Sequence, residues 1–195
     1  MSILINKNTM RAVSIIFTIL FVLMAGNSYS QDAVTQTKES FSVEIFLGQC
    51  LNNMPRIDKV ESAAKVFNWT KLNKDQAVMV APADPSVKFD GWYVRGGVVS
   101  YMIATSLGEW NESDAPTCTV AFSEVSPNKV KSLLVSILKS LKVVDEQVSG
   151  GQRITVWKYT EGTSQGYILL TDASPMDVDA FSLSVISPIK KNRNK

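Results

Sequence analysis

The chemistry open to this chain is narrowed first by what it lacks: there is no histidine. No Ser–His–Asp triad, Cys–His pair or imidazole metal ligand can be built from it. Two cysteines remain, Cys50 and Cys118. Zinc would need a second thiolate pair or histidines, and a reactive thiolate would need an activating base or cation. Neither surrounds these two. In an oxidising compartment an even cysteine count is read as a disulfide, so a Cys50–Cys118 bridge is expected.

Carboxylates are the next resource. Asp172, Asp177 and Asp179 fall in one short stretch, TDASPMDVD, and are the calcium candidates, because Ca²⁺ takes several oxygen ligands. The stretch lacks the alternating order and terminal Glu of a calcium loop, and Asp with Pro makes turns unaided. No metal and no cofactor is therefore expected. Gly96-Gly97 and Gly150-Gly151 are not followed by a phosphate-cradling pattern and read as turns. No catalytic residue is nominated. A paired-carboxylate hydrolase acting on cell-wall material stays as an alternative.

The aromatic residues are more informative. Along 153–159 the side chains alternate, with Ile154 and Val156 on one side and Arg153, Thr155, Trp157 and Tyr159 on the other. Rings mixed with polar groups suggest an exposed face that anchors a partner. Trp92, Tyr93 and Trp110 flank a hairpin and join the candidate partner-binding set.

The elements that must position these residues follow from periodicity. Apolar spacing of three and four predicts helices over 41–53 and 56–68. Strands are expected at 88–94, 98–106, 117–124, 153–159, 166–171 and 181–186, with Gly96-Gly97 as a tight hairpin turn. The stretch 107–116 reads as a polar loop, and 77–81 as a possible short buried strand. Ser126-Pro127 starts a third helix whose stripe runs from Val130 to Leu141. The expectation is an α+β domain: two N-terminal helices, then an antiparallel sheet of about six strands interrupted by one long helix. The pattern is a helix plus three strands, twice, with the helices on one face. Cys118, Val120 and Phe122 point one way on their strand, with Thr117, Thr119, Ala121 and Ser123 on the other side.

The ends set the compartment. Lys7 and Arg11 precede an apolar run over 12–25, followed by Ser28 and Ser30 before Gln31. This order is that of a cleavable signal peptide over 1–30. The apolar run is shorter than the roughly 20 residues that span a bilayer. Residues 31–40 read as a flexible lead-in, 41–188 as the single domain, and 189–195 as a basic, disordered tail. The 20 basic and 18 acidic residues become equal once Lys7 and Arg11 leave with the leader. A neutral domain has no global field to draw nucleic acid. The expected protein is exported to the periplasm, or alternatively to the medium, with no integral membrane segment after cleavage. It is expected to be a non-enzymatic accessory, inhibitor or immunity-type protein that binds another envelope or secreted protein. A structural envelope component is the third reading.

Overall fold

The computed structural model describes residues 36–189, apart from 83, 85, 111, 162 and 163. The expected signal peptide, most of the lead-in and the basic tail from residue 190 lie outside these residues.

Thr37 caps the first helix, α1 (Lys38–Ile45), its hydroxyl accepting from the Ser40 amide at 3.1 Å. This satisfies one of the amides left unpaired at a helix start. The helix continues through a π turn (Phe46–Cys50) and a 3-10 turn (Leu51–Asn53). Helix α2 (Asp58–Val66) follows. Then come strand β1 (Thr70–Lys71), the short helix α3 (Lys74–Val78), β2 (Lys88–Val94), β3 (Tyr101–Trp110) and β4 (Ser113–Ser123). Helix α4 (Pro127–Ile137) leads to β5 (Lys142–Ser149), β6 (Gln152–Glu161), β7 (Ser164–Asp172) and β8 (Ala180–Ile186).

All eight strands form one antiparallel sheet in the order β1-β2-β3-β4-β8-β7-β6-β5. Two four-stranded meanders meet at the β4–β8 pair, and α4 carries the chain from mid-sheet to its far edge. The turn between β5 and β6 is Gly150-Gly151, both at positive φ (58° and 79°). That is the left-handed conformation a two-residue hairpin turn requires.

This corrects the expected α+β class. The molecule is mostly β, with eight strands rather than about six. Its helices are short, and α4 spans only 11 residues. One extra strand is β5, whose Val143–Asp145 bulge breaks the two-residue period. The other is the two-residue β1. The 107–116 stretch is a continuous β3–β4 hairpin and not a loop. The 77–81 stretch is no strand: α3 is nucleated by a capping box. There the Asn73 side chain accepts from the Gln76 amide at 2.9 Å and the Gln76 side chain accepts from the Asn73 amide at 3.1 Å. The Gly96-Gly97 hairpin is a longer connection, residues 95–100. Gly96 serves there by close approach, since a Cβ would lie 2.1 Å from the Val99 carbonyl.

Strand register sorts the side chains into two faces. On one, Ile103, Val120, Leu183 and Leu170 stand in a row across β3, β4, β8 and β7. A parallel row holds Cys118, Val185, Ile168 and Trp157. Helix α1 brings Val43 to these rows, the π turn brings Phe46, and α4 brings Val130 and Leu134, all buried. The Cys50–Cys118 disulfide, Cα atoms 5.3 Å apart, ties the end of the π turn to the central strand β4. In the chain-entropy model, closing so long a loop stabilises by about 4 kcal/mol. Among the described residues no helix is long and apolar enough to cross a membrane.

Candidate functional site

The expected aromatic surface is core. Trp157 is 1% exposed, and Tyr159 and Trp92 are also buried. Their strands are paired so that these rings point under the helices. Burying a Trp removes about 200 Å² from water and contributes roughly 5 kcal/mol before entropy is counted. The polar residues that made this side look external are paired internally. Arg153 donates through Nε to Asp172 at 3.1 Å, and its terminal nitrogen donates to Asn128 and Ser174, each at 2.8 Å. Lys131 donates to Glu146 at 2.6 Å and to Thr155 at 3.1 Å. It also stands 5.8 Å above the Trp157 ring. The Lys131 ammonium, with the Thr155 hydroxyl second, holds the Glu146 carboxyl below its ordinary value.

The calcium candidates are likewise accounted for. The Asp172 carboxylate is buried and engaged by Arg153. Asp177 sits at positive φ (57°), ending a 3-10 turn, and is exposed, as is Asp179. Among the described residues no group of three or more His, Cys, Asp or Glu side chains converges as a metal site. Tyr101 packs edge-on to Phe41 and against Phe122, and burial pushes its phenol up to about 12.

The opposite face of the sheet is different in kind. One row across it reads Tyr93, Met102, Ala121, Ser182 and Thr171, from β2 to β7. The next reads Gly91, Ala104, Thr119, Ser184 and Leu169, and a third Ser106, Thr117, Ile186 and Tyr167. These side chains are mostly small, and many carry hydroxyls. All of them but Gly91, Ala104 and Tyr167 line a hollow of about 790 Å³, which Gln76, Val78 and the segment 79–82 also line. A volume of this order suits a ligand pocket. Among the described residues the lining holds no Lys, Arg or Glu, and its one carboxylate residue, Asp172, is spent on Arg153.

At one end of this face Trp110, 41% exposed, stacks on Tyr167 with ring centroids 5.3 Å apart. Tyr93 lies half-buried along the wall. Of the six nominated partner-binding residues, the structure therefore puts Tyr93 and Trp110 on the open face. Trp157, Tyr159 and Trp92 lie in the core, and Arg153 in its polar bracing. The residues that sequence reasoning missed are Ser106, Thr119, Thr171, Ser182 and Ser184. The signal for them was the Thr117, Thr119, Ala121, Ser123 alternation on β4, which was read only as the side away from the core. No family model, no curated protein and no solved structure matches the chain.

Proposed function

We propose that this is an exported, non-enzymatic binding protein of the cell envelope, and that its working surface is the open face of the sheet. The observation that carries the reading is the contrast between the two faces. One is filled by large apolar side chains under helices. The other is left as a hollow with a floor of small residues and exposed apolar residues, Val78 and Met79, on its rim. Unfilled concave space of this size, lined by apolar and convergent polar groups, is where proteins hold ligands. The Cys50–Cys118 disulfide supports export, because such bonds persist in oxidising compartments. Binding is favoured over catalysis by the absence of histidine and by the lack of any carboxylate free to act within the hollow.

The test is position-specific photocrosslinking of the mature protein in its own envelope. A photoreactive residue at Ser184, on the hollow's floor, should give a discrete adduct. The same residue at Lys139, exposed beyond α4, should not. Equal labelling at both positions, or none at Ser184, contradicts the reading.

A further inference from the structure

We propose that the occupant of the hollow is an uncharged oligosaccharide. The inference rests on the open face being the binding surface and adds the chemistry of what it holds. Three properties of the hollow restrict its ligand together.

The first is charge. With no Lys, Arg or Glu among the described residues of the lining and Asp172 turned into its ion pair, none of these side chains can compensate a buried phosphate, carboxylate or ammonium. An unpaired charge in such a site is strongly disfavoured. The complementary ligand is neutral.

The second is a set of part-exposed hydroxyls whose hydrogen-bonding capacity the protein does not use up. Thr119 and Ser184 share one hydrogen bond of 2.8 Å across β4 and β8. Two hydroxyls joined by one bond use one of their two protons, so the other has no partner within the pair, although Thr119 is only 9% exposed. The hydroxyls of Ser106, Thr171 and Ser182 on the same floor make no hydrogen bond to the protein among the described residues. A purely apolar chain laid on this floor would strip water from these groups and return nothing. The ligand must carry groups that both donate and accept, as hydroxyls do.

The third is the apolar share of the walls. Met79, Leu169 and Ile186 line the hollow, and Tyr167, stacked on Trp110, is the register partner of Ile186 on the same face. A ligand satisfying all three conditions has hydroxyl edges, apolar faces and no charge. A neutral sugar ring has that division, its C–H faces meeting apolar and aromatic side chains while its edges hydrogen-bond.

The experiment is titration calorimetry of the mature protein with neutral tetrasaccharides of glucose and of N-acetylglucosamine. An uncharged Ser/Ala/Gly peptide and a fatty acid are run beside them. The proposal expects saturable binding of a neutral tetrasaccharide, weakened at least tenfold by Ser182→Trp, which fills the floor. Ser184→Ala removes one hydroxyl without adding bulk and should weaken it several-fold in a protein that still folds, its melting temperature lowered only by the loss of the Thr119 bond. It keeps the test decisive if the Trp variant does not fold. Failure of both tetrasaccharides to bind overturns the proposal, as does binding insensitive to these substitutions. Binding of the peptide or the fatty acid in their place, sensitive to Ser184→Ala, overturns the sugar while leaving the open face as the binding surface. Loss of the Ser184 crosslink described above removes that surface itself.

Discussion

Trp110 of β3 stacks on Tyr167 of β7, ring planes 29° apart, although β4 and β8 run between their strands. Neighbouring strands lie about 4.8 Å apart, so the two side chains lean toward one another over the open face. Neither ring enters the core. A double-mutant cycle on Trp110→Ala and Tyr167→Ala should give a coupling of about 0.5–1.5 kcal/mol in thermal or denaturant unfolding. Strictly additive effects would show that the rings do not support each other in solution.

Trp157 has the opposite role. It lies in the row with Cys118, Val185 and Ile168, so Trp157→Ala opens a cavity under the helices. The expected loss is about 3–5 kcal/mol, seen as a fall in melting temperature on the order of 10 °C. An unchanged melting temperature would place that ring outside the core.

The disulfide makes a separate prediction. The native mature protein should show no alkylatable thiol until it is unfolded and reduced, and Cys118→Ala should cost roughly 2–5 kcal/mol. Rapid alkylation of either cysteine in the folded protein runs against the bridge.

Glu146 and Tyr101 each link stability to pH. Glu146 has a folded-state value lowered by Lys131, so the stability it lends is complete above its unfolded value and is lost as pH falls through the folded one. Between about pH 5 and 3 wild type should lose more stability than Glu146→Gln. Tyr101 is raised to about 12 by burial. Its contribution is complete below its ordinary value near 10.0 and disappears as pH climbs toward the folded one. Tyr101→Phe should therefore unfold at higher pH than wild type. Identical acid and alkaline profiles for the variants and wild type would remove these linkages.

What the sequence disclosed, and what it hid, can be traced to single residues. Cys118, Val120 and Phe122 alternate cleanly, so their core face and the bridge to Cys50 were legible. Strand β5 was not. Its bulge puts Val143 and Val148 on one face at an odd spacing, and as a charged edge strand it has no buried residue to mark it. The capping box at Asn73 and Gln76 was present as a sequence signal and outweighed the apolar run after it. The aromatic face was misassigned because Arg153 and Thr155 share a side with Trp157. Alternation cannot reveal that Asp172, 19 residues away, neutralises that arginine, or that Lys131 and Glu146 satisfy Thr155. The hollow was illegible for a related reason. A run of Ser, Thr and Ala looks like any solvated strand face until register places Ser182 and Ser184 beside Ala121 and Thr119.

The most direct measurement of the central claim is hydroxyl-radical footprinting of the mature protein, alone and in its own envelope. If the open face is the working surface, Met79 and Tyr93 are oxidised in the isolated protein and protected in the envelope. Ile137, exposed on α4 over the other face, is oxidised equally in both. Protection of Ile137 with Met79 and Tyr93 unchanged would assign the binding surface to the helices and contradict the account.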